Sequence, residues 1–217
     1  MTSRRTRAPK PALRQPELVH QFLIVLSGTD PLVWRRIQVP LSYSFWDLHV
    51  AIQDAMGWLD YHLHEFRLID AKDRVRTIGI PTGEEETDPR PPIPSWRVRV
   101  SEYFNHCQYH ALPALYVYDF GDDWKHALVY ENEQPIEASA TYPRCVAGAR
   151  RCPPEDCGGV HGYSEFLAAI CDPAHPERES LLAWAGGSYD PNAFEPTAVV
   201  FDDPIKRWKR AFERESS

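Results

Sequence analysis

Two β-rich runs joined by a turn constrain this chain more than any other feature. Residues 19–26, VHQFLIVL, are closed by Ser-Gly-Thr-Asp-Pro at 27–31, and residues 34–39, WRRIQV, follow and are stopped by Pro40. That pattern predicts an antiparallel hairpin. In its second strand Arg35, Ile37 and Val39 share one side and Trp34, Arg36 and Gln38 the other, so each side mixes polar and apolar character. Snorkelling over an aromatic surface accounts for Arg35 and Arg36 better than an anion grip does. A second hairpin is predicted from residues 115–118, the turn Asp119-Phe120-Gly121-Asp122-Asp123 and residues 124–130, because Asp and Gly satisfy the steric and hydrogen-bonding demands of a tight turn. Residues 62–69, HLHEFRLI, predict one more strand, in which His62, His64 and Phe66 point the same way.

Between these strands Ser44 is a good N-cap, and Phe45, Leu48, Ile52, Ala55 and Met56 fall at helical spacing before Gly57. Further helices are expected at 164–170, at 178–185, and after Asp202 or Asp203, where Ile205, Trp208 and Phe212 alternate with basic residues. That last basic helix is expected to dock on the protein's own acidic body. Residues 78–95 are rich in Pro, Gly and Glu and read as a surface excursion. The expected fold is α+β: a mostly antiparallel sheet of two hairpins plus the His-x-His strand, with helices packed on it and a helical C-terminal part over 163–217. A basic disordered tail at 1–17 precedes one α+β domain over 18–217.

Charge narrows the function classes. Residues 1–17 hold five basic residues against Glu17, so removing that +4 from the chain's net −7 leaves the remainder at −11. An acidic body argues against a broad phosphate-binding face, because non-specific nucleic-acid affinity rests on neutralised phosphates. Uninterrupted apolar runs such as 22–26 are only five or six residues long, well short of the roughly 20 residues needed to cross a bilayer, so no membrane role is expected. An odd total of 5 cysteines and no secretory leader point to a reducing, cytoplasmic setting.

The densest chemistry lies in residues 145–162, CVAGARRCPPEDCGGVHG, a shaped loop of three cysteines, two acids, a Pro-Pro and a Gly-Gly pair. Cys145 and Cys152 stand too far apart for a zinc knuckle, and only the Cys152 to Cys157 interval falls in the usual range. His62 and His64 can complete a tetrahedral zinc set with Cys145 and Cys152, with His126 and Cys157 as spare ligands. A second candidate is the carboxylate group Asp119, Asp122, Asp123, Glu155 and Asp156, which would suit Mg²⁺ or Mn²⁺ and phosphoryl chemistry; turn and helix capping is the plainer role for the same residues. A cysteine nucleophile, Cys145 or Cys152 activated by His62, His64 or His161, lacks any protease signature. Trp34, Tyr116, Tyr118 and Trp124 read as core, since no Lys or Arg interleaves them as a base-stacking platform requires.

Five segments carry a resemblance to a known family: PLVWRRIQVP at 31–40, DAMGWLDYHLHEF at 54–66, YVYDFGDDWKH at 116–126, YPRCVAGARRCPPEDCGGVHGY at 142–163, and DPNAFEP at 190–196. Over residues 18–203 the chain resembles the plasmid pRiA ORF-three-like family, whose members are labelled as passenger, resolvase-named proteins of insertion elements. The resemblance implies an α+β fold and an association with mobile DNA, without an established reaction. A serine resolvase needs a nucleophile and supporting arginines in a structured catalytic domain, which Thr2-Ser3-Arg4 in the tail does not offer. The expected function is therefore a mobile-element-associated accessory protein that binds a protein or nucleic-acid partner, with a metal-dependent hydrolase or nuclease acting on nucleic acid as the alternative.

Overall fold

The computed structural model describes residues 17–70, 72, 74–81, 91–104 and 113–213. The tail at 1–16 and residues 82–90 of the surface excursion lie outside these. An eight-stranded sheet runs in the order β5-β4-β3-β6-β7-β1-β2-β8. Its strands are β1 (Leu18–Leu26), β2 (Val33–Pro40), β3 (His64–Ile69), β4 (Val75–Gly79), β5 (Ile93–Pro94), β6 (Ala114–Tyr118), β7 (Trp124–Pro135) and β8 (Arg144–Ala149). Every pairing is antiparallel except the short β4–β5 contact. Both expected hairpins form, β1–β2 and β6–β7, and β3 joins β6. The fold is α+β, as the patterns predict.

Strand alternation sets the core. Phe22, Ile24 and Leu26 of β1, Ile37 and Val39 of β2, and Phe66, Tyr116, Trp124 and Leu128 of the other central strands are all fully buried. Helix α1 (Phe45–Met56) lies against this face. Its start is fixed by a capping box in which Ser44 Oγ accepts from Asp47 N while Asp47 Oδ2 accepts from Ser44 N, and its end by Gly57 at φ 88°. Two polar residues on α1 are also buried: His49 Nδ1 and Gln53 Nε2 both lie within hydrogen-bond distance of Tyr116 Oη, at 2.8 and 2.9 Å.

The structure corrects three expectations. Residues 145–149, the start of the loop expected at 145–162, belong instead to edge strand β8, paired with β2 with a bulge between Arg36 and Ile37. The excursion at 78–95 contributes the ends of β4 and β5 to the opposite edge. Helix α2 (Gly159–Cys171) begins five residues earlier than 164, inside the Gly-Gly pair, because Gly158 at φ 89° turns the chain into the helix. Helices α3 (Arg178–Trp184) and α4 (Pro204–Phe212) follow the expected bounds closely. Helix α4 docks on the acidic body as anticipated: Arg207 Nη2 pairs with Asp54 on α1 at 2.7 Å, and its Nε reaches Asp202 at 3.3 Å. Among the described residues no helix is long and apolar enough to cross a membrane.

Candidate functional site

At the end of the sheet where α1 closes, three loops interlock. The first, 57–63, leaves Gly57 and is fixed residue by residue. Trp58 is buried, its ring stacked on Tyr118 with centroids 5.1 Å apart, and its Nε1 donates to Pro153 O at 2.9 Å. Leu59 N donates to Glu155 Oε1 at 2.7 Å, and Tyr61 N to Tyr118 Oη at 3.0 Å. Asp60 sits within 2.8 Å of the buried His49 Nε2. These bonds deliver His62 to the second loop, the β6–β7 turn. There Asp119 N donates to Leu63 O at 3.0 Å, and Asp119 Oδ1 accepts from Gly121 N at 2.9 Å and from Asp122 N at 3.3 Å. Its other oxygen, Oδ2, is left facing His62 Nε2 at 3.5 Å.

The third loop, 150–158, leads from β8 to α2. Asp156 Oδ1 lies 2.9 Å from His62 Nε2, and Asp122 Oδ2 accepts from Gly158 N at 3.1 Å. The approach is so close that a Cβ on Gly159 would stand 2.4 Å from Asp122 O, which explains why glycine is required there. Asp119 and Asp156 both adopt left-handed backbone, at φ 56° and 55°. Asp tolerates that region better than most residues, yet two such turns at one point are a modest strain held by the surrounding hydrogen bonds. Ligand atoms of His62, Asp119 and Asp156 thus come within 4.8 Å of one another. Their side chains are graded in exposure, 9% for Asp119, 31% for His62 and 65% for Asp156, so the group is anchored at its base and open at its lip.

Glu155 stands beside this group with its carboxylate on Leu59 N and Tyr118 Oη. Burial raises its pKa above the ordinary carboxylate value, against the lowering pull of those hydrogen bonds and of His62. Next to it opens a cleft of about 710 Å³ whose walls include Trp58, Pro153, Glu155, Asp156, Tyr189 and Phe194.

The zinc set expected from the sequence is not brought together. His62 precedes β3 instead of lying in it, and His64 turns onto the inner face of the sheet, buried and stacked on His49 with ring centroids 3.5 Å apart. Burial drives the His64 pKa well below its usual value. Cys145 sits in β8, separated from β3 by four strands, or about 24 Å at the usual interstrand spacing. Its Sγ donates to Ala147 O, and burial raises its pKa as it does that of Cys152. The spare ligands are not brought to them either: among the described residues neither His126 nor Cys157 falls in a group of three side chains close enough to share one ion. Burial thus disfavours the thiolate of Cys145 and of Cys152, against what a cysteine nucleophile requires.

The carboxylate set is assembled in part. Asp119 and Asp156 converge with His62, Glu155 flanks them, Asp122 caps α2, and Asp123 is tied to Lys125. Tyr118 is core as expected, but its hydroxyl, which links two of the loops, was missed; Arg35 does not snorkel to the surface as expected, and is buried in the cleft wall because its guanidinium finds backbone carbonyls there. The alternation in β2 already placed Arg35 on the same side as Ile37 and Val39, and that parity was the available signal.

Known proteins resemble this chain in sequence and in fold. The chain is 34% identical over 201 residues to the uncharacterized protein y4hQ of Sinorhizobium fredii, spanning 91% of this chain and 98% of that one. A crystal structure described as a protein of unknown function, MM3350 from Methanosarcina mazei Go1, superposes with a TM-score of 0.76 at 39% identity, covering 86% of this chain and all of that one. Residues 18–198 match the plasmid pRiA4b ORF-3-like proteins, and the chain belongs to that family.

Proposed function

We propose that the protein is a binding protein organised around a divalent-cation site made by His62, Asp119 and Asp156, placed at the lip of the cleft beside Glu155. One observation carries this reading: three loops far apart in sequence present one imidazole and two carboxylates to a common point, with His62 Nε2 2.9 Å from Asp156 and 3.5 Å from Asp119. Ligand atoms bound tetrahedrally to one zinc ion stand about 3.4 Å apart, so little movement is needed to admit it. The mixed nitrogen and oxygen set suits Zn²⁺ or Mn²⁺ better than Mg²⁺, which favours oxygen alone. Three protein ligands leave coordination positions free for water or for a group on a partner. The cation would also relieve the repulsion among Asp119, Asp156 and Glu155. The plasmid in the family's name supports an association with mobile DNA, and the acidic body favours a protein partner over bare nucleic acid.

The test is calorimetric titration of untagged, EDTA-dialysed protein with ZnCl₂ and MnCl₂. One equivalent should bind, and affinity should fall at least tenfold in Asp156→Asn and in His62→Ala. Equal binding by both variants, or none by the parent, removes the site.

A second reading, a metal-dependent hydrolase, is favoured by Glu155 alone: a carboxylate with a raised pKa, next to the cation position and facing a cleft, is suited to hold or accept a proton. Hydrolysis of single-stranded or duplex DNA with Mn²⁺ that disappears in Glu155→Gln while cation affinity persists would establish it over the binding reading.

A further inference from the structure

Arg35 is held in an unusual way. It lies on the inner face of β2 with 1% of its surface exposed, and among the described residues no carboxylate is within ion-pair distance of it. Buried arginines are ordinarily paired with an anion. Here Nε donates to Ala55 O at 2.7 Å, and Nη1 to Trp34 O at 2.8 Å and Ala149 O at 3.0 Å. Ala55 belongs to the last turn of α1, whose carbonyl end carries only about half a negative charge. The Phe194 ring lies 3.6 Å from the guanidinium carbon and adds a π face. Nη2 donates to none of the described residues, and Arg35 lines the cleft described above.

The rest of the cleft fits an anion with an apolar body. Trp58, Tyr189, Phe194 and Val199 supply aromatic and aliphatic wall, and Arg151, packed over Tyr189 at 4.7 Å, adds a second cation. The acids on its lining are engaged: Asp54 with Arg207, Glu155 with Leu59 N and Tyr118, Asp156 with His62, and Glu195 with Thr197. A volume of about 710 Å³ is in the range of small-molecule sites.

We propose that this cleft binds a small aromatic carboxylate, its carboxylate accepting from Arg35 Nη2 and its ring lying between Trp58 and Tyr189. With Nε and Nη1 already spent on carbonyls, Arg35 offers a single nitrogen rather than the bidentate fork that serves carboxylate and phosphate alike, so one guanidinium nitrogen suits a monoanion better than a doubly charged phosphate. The acids at the rim disfavour a dianion further.

Benzoate and indole-3-acetate serve as probes, with benzyl alcohol as the uncharged counterpart and inorganic phosphate as the competing oxyanion, all in EDTA so that the cation site plays no part. At least one carboxylate should raise the melting temperature and shift the Arg35 side-chain Nε–H resonance, while benzyl alcohol and phosphate leave both in place. Affinity should drop at least tenfold in Arg35→Met. Because that variant also loses three carbonyl contacts, Ala198→Trp, which fills the cleft from an exposed lining position, is measured alongside and should show the same loss. Binding by neither carboxylate, equal binding of benzyl alcohol or phosphate, or unchanged affinity in Ala198→Trp overturns the assignment.

Discussion

Gly162 shows how tightly single residues fix the candidate site. A Cβ there would stand 1.9 Å from Cys157 O and 2.9 Å from its carbonyl carbon, and both obstacles are backbone. Gly162→Ala therefore has to push α2 away from the loop that carries Asp156, and a loss of about 3 kcal/mol is expected, in the range of severe overpacking. Gly57→Ala is the control: its φ of 88° is unfavourable but nothing lies within 4 Å, so about 1 kcal/mol is expected from backbone strain alone. Urea unfolding of the two variants checks the contrast, and equal losses would show that the close approach is relieved by easy movement. At this scale the sequence was informative about residue type and silent about partner. The carboxylates of the turn and the loop were visible as a group, and His62 as a nitrogen ligand. Their selection was not, since it depends on Asp119 and Asp156 taking left-handed backbone while His64, two residues on, turns into the core.

Elements are held by their ends. The Ser44 and Asp47 capping box satisfies the first turn of α1, and Ser44→Ala should destabilise the protein by about 1 kcal/mol, read as a lower urea midpoint with an unchanged slope. Helix α4 hangs on Arg207, whose partner Asp54 is 7% exposed at its side chain. Arg207→Ala strands that carboxylate under cover, and a loss of about 3 kcal/mol is expected, the low end for breaking a buried pair. Asp54→Asn in the same background should recover part of it; no recovery in the double variant would mean that Arg207 acts by packing alone. Strands β1, β2, β6 and β7 were legible because β-branched and aromatic residues alternate in them. Strand β8 was not, because Ala147, Gly148 and Ala149 carry no such signal: the strand exists because β2 offers an open edge, and Gly148 because the Phe194 ring would meet a Cβ at 2.3 Å. The early start of α2 was hidden for a related reason, the amide of its N-cap residue Gly158 being held by Asp122 from a turn 36 residues upstream.

Over the whole molecule the buried histidines set the response to acid. Burial lowers the pKa of His20 to about 4 and of His126 to about 3, and pushes His64 well down. Each is neutral in the folded protein and binds a proton on unfolding once the pH falls below the ordinary value of about 6.5. Protons then favour the unfolded chain, so stability is full above that pH and declines through the window from 6.5 towards 4, by up to about 1.4 kcal/mol per pH unit for each histidine. Asp54 and Glu155 act in the opposite sense, since burial raises their folded pKa and protonation favours the native state, but only in the range just above the carboxylate values. Carboxylates held down by arginine, Glu131 beside Arg36 among them, join the loss at still lower pH. The net expectation is that stability already falls steeply between pH 6.5 and 5, before most carboxylates titrate. Urea midpoints at pH 7.5, 6.5, 5.5 and 5 measure it, and His20→Phe should flatten the slope by about one proton because its ring already packs among Phe22 and Tyr130. A midpoint unchanged down to pH 5 would show that these imidazoles reach water or partners in the folded state.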